Sequence, residues 1–323
     1  MIVTLIDAIN KALHFAMQHD DHIILLGEDI GKNGGVFRAT IGLQEKFTER
    51  VLDTPLAENM LAGIAVGMGA CGLKPIVEIQ FMGFLYSALD QIISHASRMR
   101  YRTRGRLSCP IVIRAPYGCG IHAPEHHSES TEAILAHIPG IRVVIPSSPL
   151  KAYGLLLAAI ANPDPVIFLE PTRLYRLFKQ EINDDGKALP LDKCFILQSG
   201  NDITLISWGA MIHETLAVAK ELSNNNISAE VIDVATIKPL DLDTILQSIA
   251  KTGRCVIIHE AAQTCGVGAE IAAQIADLGL TNLLAPIKRV TGFDTIVPPY
   301  RLEGLYMPSV ARILTVVKEV LSY

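Results

Sequence analysis

Short apolar runs alternate with stretches of helical periodicity along almost the whole chain, and that alternation restricts the fold more than any other feature. In the first half the runs fall at 22–26, 75–79, 110–114, 142–145 and 166–169. They lack the every-second-residue polar alternation of a half-exposed strand, so they read as strands buried on both faces of a parallel sheet. Helical spacing fills the intervals at 5–18, 60–71, 85–98, 131–137 and 150–161. Ser148-Pro149 opens the last of these, with Ser as N-cap and Pro at the first helical position. The pattern predicts an α/β domain over residues 1–180, with helices on both faces of its sheet. The polar, turn-rich stretch 180–190 has no period, and 181–198 is predicted as a linker. A second α/β domain follows over 199–323, with strands at 202–207, 229–234, 255–259 and 287–290 and helices at 212–222, 243–251, 267–277 and 309–321. The predicted fold class is therefore α/β, with two doubly wound domains.

Composition narrows the function classes. Half of the 323 residues are hydrophobic and 19% are charged, enough to fill two cores and leave apolar surface over, as an obligate oligomer requires. The net charge of −5 argues against nucleic acid as a partner. Arg98, Arg100, Arg102, Arg104 and Arg106 form one basic run, which reads as a helix end passing into a solvated loop. The six cysteines contain no C-x-x-C pair, so no zinc or redox framework is visible, and their scatter fits a reducing cytosol. The N-terminus lacks the marks of a signal or transit peptide, and the apolar stretches are too short for a membrane span. A cytoplasmic protein without membrane contact is expected.

Several motifs are candidates for chemistry. Asp53-Thr54-Pro55-Leu56-Ala57-Glu58 places a carboxylate where a glycine-rich helix begins, and the positive end of the helix dipole favours an anion there. Alone, this also describes an ordinary first-turn Glu. Gly67-x-Gly69-x-x-Gly72 matches the dinucleotide fingerprint in letters, but a helix precedes it and a strand follows, which inverts the required order. Packing of small residues is the better reading. Gly266-Val267-Gly268 follows a strand and opens a helix, as a tight turn with a weak option on anion binding. The stretch from Gly118 to Ser130 carries His122, His126 and His127 beyond a strand end, where open α/β sheets bind ligands. Pro124 prevents a regular helix across His122 and His126, so no metal-binding face is licensed. A catalytic loop and a solvated loop with incidental histidines both remain open.

Taken in order, these residues resemble a known family. Asp53–Glu58, Ala62-Gly63-Ile64-Ala65-Val66-Gly67, Ala88-Leu89-Asp90-Gln91-Ile92, Pro110–Arg114, His127-Ser128-Glu129-Ser130 and 139–146 together are similar to the beta subunit of the thiamine-diphosphate-dependent 2-oxo acid dehydrogenases. These are the decarboxylating components of pyruvate and branched-chain 2-oxo acid dehydrogenase complexes. The resemblance covers essentially the whole chain. It implies a transketolase-like pyrimidine-binding domain followed by a transketolase C-terminal-like domain. It also implies that Glu58 bonds the aminopyrimidine ring nitrogen of thiamine diphosphate, so that proton exchange there lets the cofactor's own amine activate its thiazolium carbon. Leu56 and Phe84 match positions beside the pyrimidine. His127 matches the histidine at the substrate end; its neighbour His126 is set aside only by the His-Ser match. A structural potassium ion is implied at Ile111, Ala159, Ile160, Asn162 and Asp164, with the Asn and Asp exchanged relative to some relatives.

The chain has no Gly-Asp-Gly segment of the kind that holds magnesium and the diphosphate in thiamine enzymes. The resemblance then implies a separate alpha subunit that supplies magnesium and the diphosphate site, in a heterotetramer of two alpha and two beta chains, inactive without alpha. It further implies a dihydrolipoyl acyltransferase partner whose lipoyl groups are reductively acylated. Arg102–Arg106 and Leu174-Tyr175-Arg176 look most like bacterial pyruvate enzymes, so pyruvate is preferred over a branched-chain acid. Asn59 and Met60 depart from the Met-Gly or Ser-Gly of many relatives. Two other readings stay open: a non-catalytic interaction protein that keeps the fold, and a single-chain transketolase-like enzyme.

Overall fold

The computed structural model describes Met1–Tyr323 and divides into two compact units. The first comprises Met1–Tyr117 and Ile134–Leu191; the second comprises Gly118–Ala133 and Asp192–Tyr323. Sequence order alone places the histidine-bearing stretch in the first domain, whereas the structure groups residues 118–133 with the second unit.

The first unit contains strands β1 (Ile2–Val3), β2 (Ile23–Gly27), β3 (Val51–Asp53), β4 (Lys74–Glu78), β5 (Val112–Tyr117), β6 (Arg142–Val144), β7 (Val166–Pro171) and β8 (Gln180–Glu181). Along the chain lie helices α1 (Leu5–His19), α2 (Leu43–Phe47), α3 (Glu58–Ala70), α4 (Leu89–Ser94), α5 (Met99–Arg102), α6 (Glu132–Ala136) and α7 (Pro149–Ala161). The strands run β6-β7-β5-β4-β2-β3, all parallel. β5 and β7 are buried at every residue, which explains their apolar composition without alternation. β3 lies on one side of β2 and β4 on the other, so the order reverses at β2. That reversal makes the carboxyl ends of β2 and β4 the natural ligand crevice of this unit.

Local chemistry fixes the flanking helices. Thr4 and Asp7 form a reciprocal capping box at the start of α1. The buried stripe Leu5, Ile9, Leu13 and Met17 then faces α7. Ser148 caps α7 through the Lys151 N–H, with Pro149 at the first turn, as its sequence predicts. The helix expected over 85–98 is not continuous. It is replaced by a 3-10 helix at Met82–Ala88, then α4, then a 3-10 turn at Ala96–Arg98. Ser97 donates to the Ile93 carbonyl at 2.8 Å, a side-chain bond that competes with the helical ladder. Gly140, at φ +88°, lies so close to the Ser97 carbonyl that a Cβ would sit 2.1 Å from its oxygen.

The second unit contains β9 (Phe195–Gln198), β10 (Ile203–Ser207), β11 (Ala229–Asp233), β12 (Thr236–Lys238), β13 (Cys255–Ile258) and β14 (Lys288–Val290). Its helices are α8 (Met211–Asn224), α9 (Leu242–Thr252), α10 (Val267–Leu278), α11 (Tyr300–Tyr306) and α12 (Val310–Leu321). The sheet order is β14-β13-β10-β11-β9, with only β9 antiparallel. β9 falls inside the stretch predicted as linker; its four half-exposed residues, Phe-Ile-Leu-Gln, are too few to show a period. Gly266 and Gly268 open α10 as a tight turn; a Cβ on Gly268 would lie 2.6 Å from the ring of the buried His259. No helix of the structure is long and apolar enough to cross a membrane.

Candidate active site

Glu58 is the first residue of α3, directly after the loop that leaves β3. Ala57 occupies the N-cap position and offers no side-chain cap. The Glu58 carboxylate therefore sits at the positive end of the helix dipole with the first amides of the helix uncapped by a side chain. The loop before it is anchored. Thr54 donates its N–H to the Gly27 carbonyl at 3.0 Å, and Asp53 accepts the Gly31 N–H at 2.6 Å. These bonds tie the end of β3 to the end of β2 and to the loop that follows it, at the reversal in strand order.

Beside α3 lies the 3-10 helix Met82–Ala88. Ser87 on that helix donates to Glu58 Oε2 at 3.3 Å, and its own carbonyl accepts the Asn59 side-chain amide at 3.1 Å. Phe84 lies on the same short helix, half-buried, its ring edge-on to Phe81 with centroids 5.8 Å apart. The aromatic contacts continue from Phe81 to Phe37 and from Phe37 to Tyr175. The structure thus brings Glu58 and the element carrying Phe84 together. Leu56, in the loop before α3, is 76% exposed, an apolar side chain presented to whatever covers this face.

Glu28 escapes a motif-based reading. It directly follows β2 and is buried. Burial first, and the Glu58 charge second, push its carboxyl above the ordinary carboxylate range, against the pull of the Ala57 backbone. An acidic residue at the end of an all-apolar run was the available signal. Its significance depends on the approach of α3, which the sequence does not announce.

A buried ionic cluster joins the carboxyl ends of β4 and β7 to the middle of β5. Arg114 donates through Nη1 to Glu78 Oε2 at 2.8 Å and through Nε to Glu170 Oε1 at 2.6 Å. Tyr175 donates its hydroxyl to Glu170 Oε2 at 2.7 Å. Burial and the Glu170 charge hold the Tyr175 hydroxyl well above its usual range, so it remains a donor.

His127 belongs to the second unit, at the end of a 3-10 turn at Glu125–His127. The loop that carries it is pinned at both ends. The Gly118 N–H donates to the Glu129 carbonyl at 3.0 Å, and the Cys119 N–H donates to Glu260 Oε2 at 3.2 Å. His126 lies 3.9 Å from the Glu129 carboxylate. His122, in the left-handed region at φ +59°, packs edge-on against Tyr300.

The positions expected for potassium do come together around the turn after α7. The Val166 N–H donates to the Ile111 carbonyl, and the Asn162 N–H to the Ala159 carbonyl. Ile160 lies in the last turn of α7, between those partners. The side-chain oxygens are engaged elsewhere: Asp164 Oδ1 accepts Arg100 Nε at 2.7 Å, and Asn162 Oδ1 accepts the Asp164 N–H at 2.9 Å and Arg142 Nη1 at 3.4 Å. The main-chain carbonyls of Ile111 and Ala159 each accept one backbone hydrogen bond and keep a second lone pair. No group of three or more His, Cys, Asp or Glu side chains comes together to hold a metal ion.

Comparison with known proteins agrees with this architecture. Residues 2–177 match the family described as transketolase, pyrimidine binding domain, and residues 192–313 match transketolase, C-terminal domain. The pyruvate dehydrogenase E1 component subunit beta of Bacillus subtilis is 45% identical over 322 residues, covering 99% of each chain. The proteins of the same name from Staphylococcus epidermidis and Staphylococcus aureus are 44% and 42% identical over the same span, again with 99% coverage. A solved structure titled as a split-gene transketolase, an inactive beta4 tetramer, superposes with a TM-score of 0.82 at 22% identity, covering 99% of this chain and 98% of that one. The last match speaks for the fold alone. With nearly half its residues shared end to end with those proteins, the chain belongs to the transketolase-like family of pyruvate dehydrogenase E1 beta subunits.

Proposed function

We propose that this chain is the beta half of a thiamine-diphosphate-dependent pyruvate dehydrogenase, active only with an alpha subunit. The observation that carries the reading is Glu58 at the start of α3, beside the short helix that bears Phe84. A carboxylate at a helix N-terminus next to an aromatic ring suits a flat heterocycle whose ring nitrogen exchanges a proton. In this reading Glu58 holds that proton, Phe84 and Leu56 contact the ring, and the buried Glu28 supplies a second acidic group behind Glu58. Thiamine diphosphate, when bound, supplies the carbon centre that accepts a 2-oxo acid and stabilises the charge left by decarboxylation. The alpha subunit brings magnesium and the diphosphate site, in a particle of two alpha and two beta chains. His127 handles a proton at the substrate end, or assists transfer of the acyl group to the lipoyl arm of a dihydrolipoyl acyltransferase. Pyruvate is the preferred acid, following the relatives' names. A potassium ion held by oxygens of Ile111, Ala159, Ile160, Asn162 and Asp164 is the remaining part of this reading.

The test is Glu58→Gln in purified heterotetramer. Decarboxylation is expected to be abolished while the particle assembles normally. A variant that kept most of its turnover would remove the role assigned to Glu58.

A further inference from the structure

We propose that Ser87 is a positioning residue for Glu58: its hydroxyl holds one carboxylate oxygen, so that the other is presented in a set orientation to the ring it meets. The inference rests on the reading of Glu58 given above and adds a residue which that reading does not use.

Ser87 is tied to the first two residues of α3 on both sides of its own backbone. Its hydroxyl lies 3.3 Å from Glu58 Oε2 and its carbonyl accepts Asn59 Nδ2 at 3.1 Å. Asn59 Oδ1 in turn accepts Gln91 Nε2 at 3.4 Å. The Gln91 side chain lies against Gly63, where a Cβ would stand 3.3 Å from its oxygen. The start of α3 is thus registered against the Phe84-bearing helix by a chain of polar bonds that runs through Ser87.

The Ser87 hydroxyl also has a second acceptor, the Phe84 carbonyl at 3.0 Å. It carries one hydrogen for the two. An ionised Glu58 draws that hydrogen, because a bond to a charged acceptor is the stronger. A protonated Glu58 releases it to the Phe84 carbonyl. The hydroxyl therefore turns to Glu58 when that carboxyl carries its charge.

The experiment compares wild type, Ser87→Ala and Ser87→Thr in the assembled heterotetramer by steady-state decarboxylation kinetics, with Glu58→Gln measured alongside. Ser87→Ala should lower kcat about threefold with KM for the 2-oxo acid unchanged, and Ser87→Thr, which keeps the hydroxyl, should restore it. A Ser87→Ala kcat equal to wild type, or a Ser87→Thr variant as impaired as Ser87→Ala, overturns the inference. An active Glu58→Gln overturns the functional reading; an inactive Glu58→Gln with Ser87→Ala at wild-type kcat overturns the role of Ser87 alone.

Discussion

The indole of Trp208 stacks on the imidazole of His259, with ring centroids 5.0 Å apart and planes 14° from parallel. Trp208 also donates its Nε1–H to Glu132 Oε1 at 3.2 Å, which fixes the indole plane. Both rings are buried at the carboxyl edge of the second unit's sheet, beside the reversal in strand order between β10 and β13. Other doubly wound folds keep a ligand crevice at that place. Here the His259 ring occupies it, packed against the glycines that open α10.

The stacking has a consequence for acid stability. Burial first, and the Arg289 charge second, lower the His259 pKa from 6.5 to about 3. The unfolded chain takes up a proton below pH 6.5 that the folded chain refuses, so stability falls as pH drops from there toward about 3. Between pH 6.5 and 5 the loss should be about 2 kcal/mol. Trp208 is the sole tryptophan, so its fluorescence in urea reports this unit directly. His259→Gln should flatten the slope relative to wild type. Equal slopes in the two proteins would show that His259 is not the group responsible.

The Arg114 cluster makes the opposite kind of prediction. Glu78 and Glu170 face one guanidinium in a fully buried setting. Replacing Arg114 with Met leaves two buried carboxylates without their cation, at a cost of about 3–5 kcal/mol. Glu78 is already held above the ordinary carboxylate range, chiefly by burial. Removing the arginine raises it further, so the folded variant binds protons that the unfolded chain does not. Its deficit against wild type should therefore be larger at pH 8 than at pH 5, as read by urea unfolding at both. A deficit independent of pH would place the cost in packing rather than charge.

These relationships mark where sequence reading succeeds and where it stops. The parallel strands were legible because burial on both faces forces continuous apolar composition, as at β5, β7 and β10. Three short strands were not. β1, β8 and β9 are two to four residues long and partly exposed, too short to show any period. Glu58 was legible as a carboxylate at a helix start, and Phe84 through family resemblance. Ser87 and Glu28 were not, because they matter only through the approach of elements about 30 residues apart in sequence. The grouping of residues 118–133 with the second unit was likewise invisible, since it depends on contacts such as Cys119 to Glu260, 141 residues away.

That last contact supports a test of how the histidine loop is held. Gly118 sits at φ +86°, and a Cβ there would lie 2.3 Å from Glu260 Oε1. Gly118→Ala must therefore strain the backbone and displace the carboxylate that accepts the Cys119 N–H. A loss of about 2 kcal/mol is expected, together with faster proteolytic cleavage within residues 121–127. Glu260→Ala removes the clashing oxygen and the anchoring bond together. In a double-mutant cycle the two changes should cost less combined than their sum, because the second relieves what the first creates. The part of the Gly118→Ala cost that persists in the Glu260→Ala background measures the left-handed backbone alone, about 1 kcal/mol. Strict additivity would mean that Glu260 does not press on Gly118, and that the loop bearing His127 is held at this end by other contacts.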